Sequence, residues 1–181
     1  MNRITILICG KASSGKTTFA TVLAQEINKV KEMAKVIHNA QTVKTLAESF
    51  FHWDKEKDEK GRQLLIDLTN SGYNYDPIFW ERETERLFRN YQKFCNEDLE
   101  ILIVPDWRYM STYEYFSNVG KVITVMVERH DVEKGTHDFH SSENDFKKFP
   151  TKYHILNDSE SIEDLERFSR MLIEVEGLQN V

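Results

Sequence analysis

Residues Gly10-Lys11-Ala12-Ser13-Ser14-Gly15-Lys16-Thr17 spell G-x-x-x-x-G-K-T immediately after the apolar run Ile4-Thr5-Ile6-Leu7-Ile8-Cys9. A short apolar run that ends on glycine reads as a strand covered on both faces. A strand passing through a tight turn into a helix commits the chain to an α/β architecture, because parallel neighbours need a crossover of a dozen or more residues. Glycines at both ends of the turn permit positive φ and a close backbone approach. Successive N–H groups of such a turn form an anion-binding hollow, to which the following helix adds the positive end of its dipole. Lys16 then reaches the β- and γ-phosphates, and the Thr17 hydroxyl binds Mg²⁺. The motif therefore implies a nucleoside triphosphate, with Gly10, Ser13, Ser14, Gly15, Lys16, Thr17 and Thr18 around it and ATP and Mg²⁺ as the expected cofactors. The competing reading is an ordinary glycine-containing strand–helix turn.

The 181 residues are enough for one domain with a sizeable core and short for two. A formal charge of −6 leaves no uniformly basic surface to displace counterions, which argues against a general nucleic-acid binder. Cys9 and Cys95 lack metal-ligand spacing and read as reduced, buried or half-buried thiols. No run of about twenty apolar residues and no leader pattern stand out, so a cytoplasmic chain with no membrane partner is expected. A homodimer is compatible with the sequence.

The first helix is expected from Lys16 to about Met33, with Phe19, Val22, Leu23, Ile27 and Val30 on its buried face. Ala34 to His38 reads as a second strand and Thr42 to Phe51 as a helix. The charged run Asp54 to Lys60, a solvated face, leads into a helix carrying Leu64, Leu65 and Leu68, and Asn70-Ser71-Gly72 is expected to break it. Asp76 and Pro77 suit the cap and first position of a helix reaching about Cys95. Leu99 to Val104, Lys121 to Val127 and Tyr153 to Asn157 read as strands, and Ser161 as the cap of a last helix. Strands alternating with helices give a parallel sheet whose ligands gather at the strands' carboxyl ends.

Three groups of residues at those ends bear on chemistry. Asp106, just past an apolar strand, is placed to hold Mg²⁺ directly or through water, or else to cap a helix. Arg108 is placed to engage phosphate bidentately, or else to form a surface ion pair. Lys44 and Arg62 are candidates to hold an anionic acceptor beside the triphosphate, although surface cations are commoner. Trp80, Tyr73 and Tyr75 read as pocket lining or as core. Arg129 ends a strand ahead of a polar, glycine-containing stretch with a lid's composition, and there it would stack on adenine or touch phosphate. His130, His137 and His140 fit no zinc spacing.

Taken as an ordered set, these stretches resemble the phage-type deoxynucleoside monophosphate kinase family, a branch of the P-loop kinases of nucleoside monophosphates. The stretches are Gly10 to Thr17; Gln41-Thr42-Val43-Lys44; Gly61-Arg62-Gln63-Leu64-Leu65 with Trp80; Asp106-Trp107-Arg108-Tyr109 with Glu114; and His140-Ser141-Ser142-Glu143 with Asn157. The resemblance implies a P-loop kinase fold built on a parallel, about five-stranded sheet flanked by helices. It divides one domain, 1–181, into a core of about 1–40 and 98–181, an acceptor-binding helical segment of about 41–97 and a lid of about 129–143. It implies ATP- and Mg²⁺-dependent phosphorylation of a deoxynucleoside 5′-monophosphate. Lys16, Asp106, Arg108 and Arg129 would be catalytic, Thr17 and Asp106 would hold the metal, and Lys44, Arg62, Trp80 and Arg108 would bind the acceptor. Trp107 stands where the family usually carries a small or β-branched residue. Two alternatives remain: another small phosphorylated acceptor, such as phosphomevalonate or dephospho-coenzyme A, or an ATP-binding regulator without turnover. No Asn-Lys-x-Asp run for guanine recognition occurs.

Overall fold

Every residue of β1 (Ile4–Cys9) is buried. Ile4, Ile6 and Ile8 face a core shared with α1 (Lys16–Ile27) and α6 (Ile162–Glu176), whereas Leu7 and Cys9 face a second core that holds Phe88, Trp107 and Phe116. Alternate residues of one strand thus serve two cores, as a sheet covered on both faces requires. The structure, a computed structural model, describes residues 3–56, 58–96, 98–130, 148–159 and 161–179. Its other strands are β2 (Ala34–Val36), β3 (Ile101–Val104), β4 (Lys121–Glu128) and β5 (Tyr153–Leu156). All pairings are parallel and the order is β2-β3-β1-β4-β5. The remaining helices among the described residues are α2 (Ala40–Phe51), α3 (Glu59–Tyr75), α4 (Phe79–Phe94) and α5 (Met110–Val119). The expected α/β sheet of five parallel strands flanked by helices is therefore present. From β1 the chain steps out to β2 on one side, while β4 and β5 lie on the other. The crevice at the carboxyl end of β1 is therefore the topological switch point where ligands bind in such sheets. Among the described residues no helix is long and apolar enough to cross a membrane.

Several local expectations are corrected. Helix α1 stops at Ile27, and Val30 is 97% exposed rather than buried. Asn28 is the reason: its Oδ1 accepts from the N–H groups of Met33 and Ala34, and its Nδ2 donates to the Ala34 carbonyl, which fastens the turn into β2. The second strand ends at Val36 rather than His38. Gly72 does not break α3, which continues to Tyr75. The Trp80 ring occupies the space a side chain at 72 would need, with Cε2 2.5 Å from an ideal Cβ. Asp76 accepts from the Ile78 N–H, and the helix begins two residues after Pro77, at Phe79. Cys95 is exposed, although Cys9 is buried as expected.

Helix α6 is anchored at the end of the sheet away from the phosphate loop. Its last residue, Glu176, meets Lys121 Nζ at 2.8 Å and accepts from Lys152 Nζ and Tyr153 Oη, both at 2.6 Å. Burial alone would raise the Glu176 carboxyl; the hydrogen bonds from Lys121, Lys152 and Tyr153 outweigh it and bring the pKa down to about 2.

Two predictions follow from these contacts. Replacing a helical glycine by alanine normally stabilises by about 0.5–1 kcal/mol, but overpacking against a locked ring costs about 1–3 kcal/mol. Gly72→Ala is therefore expected to lower stability in denaturant melts, and Gly72→Ala with Trp80→Leu to recover part of the loss. Because the Glu176 carboxyl titrates lower when folded, its contribution is complete above pH about 4.5 and lost as pH falls toward about 2. Glu176→Gln should lower the neutral-pH Tm and flatten the acid limb of a Tm-against-pH profile over that window.

Candidate functional site

The turn after β1 is held in a conformation that few sequences tolerate. Gly10 has φ +138°, and a Cβ there would lie 2.1 Å from the Val127 carbonyl oxygen. Gly15 has φ +97°, and its Cβ would lie 2.2 Å from Asn157 Nδ2. Ser13 is left-handed at φ +61° without being glycine, a strain of about 1–3 kcal/mol of the kind stored at functional turns. The Ser14 N–H donates to the Lys11 carbonyl at 3.3 Å, and Lys16 Nζ donates to that same carbonyl from across the turn. Lys16 and Thr17 open the first turn of α1, and Gly15 is the helix's N-terminal flanking residue.

A cleft of about 550 Å³ opens beside this turn. It is lined by Ser13, Gly15, Lys16, Thr17 and Thr18, by Arg129 at the end of β4, by Asn157 and Ser159 after β5, and by Ser161, Ile162 and Leu165 of the last helix. None of these described lining residues is acidic. The sequence-expected residues brought together here are Ser13, Gly15, Lys16, Thr17, Thr18 and Arg129; Gly10 and the buried Ser14 do not line it. The Glu128 carbonyl accepts from the Asn157 N–H at 2.7 Å, so the ends of β4 and β5 are tied side by side and Arg129 is set next to the loop. Ser159, Ser161, Ile162 and Leu165 were not singled out as site residues. The signal that finds them is topological: they follow the carboxyl end of a parallel strand, where ligands gather.

The donor set fits a polyphosphate with its cation. Loop amides, the Lys16 ammonium, the Thr17 hydroxyl and the Arg129 guanidinium are all suited to anionic oxygens, and Thr17 adds a hard oxygen for Mg²⁺. Cys9, one residue before the loop, is no nucleophile. Burial pushes its thiol up to about 12, with the Lys16 charge opposing only in part.

Asp106, Arg108, Lys44, Arg62 and Trp80 do not line this cleft. The Asp106 carboxylate accepts from the Asn39 N–H at 2.9 Å and the Ala40 N–H at 3.1 Å. It caps α2 from another strand's end, where α2 has no side-chain cap of its own. The capping alternative is thus realised on α2 rather than on the helix that follows Asp106. Asn39 Oδ1 in turn accepts from Thr84 Oγ1 at 2.8 Å, which joins α2 to α4. Trp107 is buried beneath this turn. Its N–H donates to the Ile8 carbonyl at 3.1 Å, its Nε1 to the Tyr109 carbonyl at 2.8 Å, and its ring stacks on Phe149 at 4.4 Å. Phe149 supplies the partner that a bulky residue needs at 107.

Lys44 lies on α2 and is partly buried, while Arg62 on α3 and Arg108 after β3 are exposed. Trp80 is 3% exposed, and its Nε1 donates to the Thr69 carbonyl at 2.9 Å. Its faces are taken up by α3, which corrects the pocket-lining expectation. Tyr75 is 83% exposed. Tyr73 donates to Glu81 at 3.3 Å and meets the Tyr109 ring edge-on at 5.1 Å. Glu81, fully buried on α4, also accepts from Thr112 Oγ1 at 2.7 Å. Burial, and then the neighbouring Glu81, push the Tyr73 phenol above its usual range. The acid escaped notice because it reads as one charge among many on a polar helix. His130 donates its N–H to Asp158 Oδ1 at 2.8 Å, and its Nδ1 lies 2.6 Å from Oδ2. The lid expected at 129–143, including His137, His140 and Glu143, lies beyond His130 outside the described residues.

A family model described as chromatin associated protein KTI12 matches residues 5–74. No curated protein matches the sequence. A structure from Chloroflexus aurantiacus, provisionally described as a kinase, superposes with a TM-score of 0.53 at 10% identity, covering 96% of this chain and 98% of that one. The crystal structure of APE1195 gives a TM-score of 0.50 at 14% identity and 96% coverage of both chains. The fold is that of a P-loop kinase. Thymidylate kinase from Ehrlichia chaffeensis superposes with a TM-score of 0.49 at 16% identity, covering 97% of this chain and 100% of that one. At such identities the likeness is one of fold.

Asp106→Ala removes the cap of α2, an effect worth about 0.5–2 kcal/mol for a single capping residue. The expected result is a loss of that size in chemical unfolding, with helix content at α2 reduced by hydrogen exchange. Asp106→Asn, which keeps one acceptor oxygen, should lose less.

Proposed function

We propose that this protein transfers the γ-phosphoryl group of ATP, with Mg²⁺, to a small phosphorylated acceptor, and that the acceptor is a nucleoside or deoxynucleoside 5′-monophosphate. The observation that carries the reading is the cleft in which Lys16, Thr17, Thr18 and Arg129 converge at the switch point of the sheet, with no acidic side chain among its described lining residues. Phosphoryl transfer of this kind needs positioning and charge stabilisation rather than a protein nucleophile, and these residue types provide both. Lys16 and Arg129 would face the transferred phosphoryl oxygens. Thr17 would ligate Mg²⁺, with Asp106 acting on it through water from its place at the head of α2. Arg129 and Ile162, on opposite elements of the cleft, would flank the adenine.

The acceptor side rests on the helical layer α2–α4, inserted between β2 and β3. Lys44, Arg62 and Arg108 are its cationic candidates, and the resemblance to the monophosphate kinases assigns them to the acceptor phosphate. Asp106 makes this layer part of the same machine, because the carboxylate that ends the β3 side also fixes the start of α2.

One observation favours a second reading. The match of residues 5–74 to a family described as chromatin associated supports a nucleotide-dependent regulator that binds ATP with little turnover.

ADP release in the presence of ATP, Mg²⁺ and each monophosphate in turn separates the two. The kinase reading expects acceptor-dependent ADP with one or a few nucleotides and abolition by Lys16→Ala. Tight ATP binding with a flat background across the panel would establish the regulator instead.

A further inference from the structure

Asn157 sits 9% exposed at the end of β5, remote in sequence from the phosphate loop, yet its Nδ2 donates to the Ser14 carbonyl at 2.9 Å. We infer that Asn157 is the positioning residue of the phosphate loop: by holding the Ser14 carbonyl it turns the Gly15 N–H into the cleft. The inference rests on the reading that the loop binds phosphate.

The physical basis is the rigidity of the peptide unit. No cis peptide bond occurs among the described residues. In a trans peptide the carbonyl and the following N–H point in opposite directions from one plane. Fixing the Ser14 oxygen on Asn157 therefore fixes the Gly15 hydrogen on the opposite side of that peptide plane, which under the inference is the part of the cleft that Lys16 and Thr17 line. Flipping that peptide would present a carbonyl oxygen to the phosphates instead of a donor, which reverses the sign of the interaction.

The contact is built rather than incidental. Asn157 is itself held, since its own N–H donates to the Glu128 carbonyl at 2.7 Å. Gly15 is shaped to receive it, because a Cβ at that position would overlap Asn157 Nδ2 at 2.2 Å. The glycine at 15 therefore answers to two demands: a φ of +97° and an amide side chain pressed against its backbone. The Ser14 side chain offers no substitute hold, as its buried Oγ has no hydrogen-bond partner among the described residues. Asparagine supplies what the site needs, a neutral donor. Aspartate, of the same shape, would present only acceptor oxygens to a carbonyl and add a negative charge beside the phosphates.

The test measures dissociation constants of Mg·ATP, magnesium-free tripolyphosphate and adenosine for the wild type, Asn157→Asp, Asn157→Ala and Lys16→Ala. A wild type that binds neither ATP nor tripolyphosphate would overturn the proposed function and leave nothing for Asn157 to position. With wild-type binding in hand, Asn157→Ala should weaken tripolyphosphate and ATP alike by about tenfold to a hundredfold, the worth of one charge-assisted hydrogen bond. Asn157→Asp should weaken them by at least as much, and adenosine affinity should change in neither variant. Tripolyphosphate bound by Asn157→Asp as tightly as by the wild type would overturn the inference. So would a loss confined to adenosine, which would make Asn157 a base contact. Should the variants fail to fold, amide proton spectra of the wild type titrated with tripolyphosphate decide the matter. The Gly15 N–H must move strongly downfield while the Asn157 side-chain amide does not, and a stationary Gly15 resonance refutes the assignment.

Discussion

Everything in this molecule hangs on the central strand having no spare room at its carboxyl end. β1 is hydrogen-bonded on both edges and packed on both faces, so the chain leaving it can only turn through the gap beside β4. There the Val127 carbonyl stands 2.1 Å from where a Gly10 side chain would begin. The turn must be bare backbone, and bare backbone exposes N–H groups. The Ser14 N–H finds its acceptor within the turn, at the Lys11 carbonyl. Under the proposed function, ending a buried strand this tightly makes the turn an anion-binding loop, and the lysine and threonine that follow would give it its selectivity for phosphate and metal.

What surrounds the loop divides by origin. The donor half of the site draws on α1, β4 and the last helix, all packed on the core of which Phe19, Val125 and Leu172 are members. Helix α4 packs on the other face of the sheet through Phe88, with Leu87 and Tyr91 beside it, and polar contacts add direction to α2, chiefly Asp106 with Asn39 and Ala40, and Asn39 with Thr84. Hydrogen bonds between elements fix orientation more sharply than apolar contact, which is non-directional. The layer that would hold the acceptor is thus packed through α4 and aimed by a few directional contacts at the start of α2.

The sequence made the first of these halves legible. An apolar run followed by G-x-x-x-x-G-K-T fixes strand, turn and helix together, and strand–helix alternation fixes the parallel sheet. Misreadings arose where one side chain overrides a periodic pattern. Val30 continues the apolar period of α1, but Asn28 ends the helix with three hydrogen bonds before Val30 can be buried. Asn70-Ser71-Gly72 looks like a break, yet Gly72 is small because Trp80 lies across it. Asp106 was read with its capping alternative in view, but the recipient of the cap, α2, lies far away in sequence. Asn157 was noted without a role, because its partner at Ser14 comes from the other end of the fold.

That last separation has a consequence for how the molecule is made. The contact between Ser14 and Asn157 spans 143 residues, so the loop is completed by a residue encoded long after it. Contacts so distant in sequence form late, after the entropy of closing the intervening chain has been overcome. A nascent chain would carry the motif in an unbraced form until Asn157 has been made. Nucleotide capture would then report that β5 has docked beside the loop.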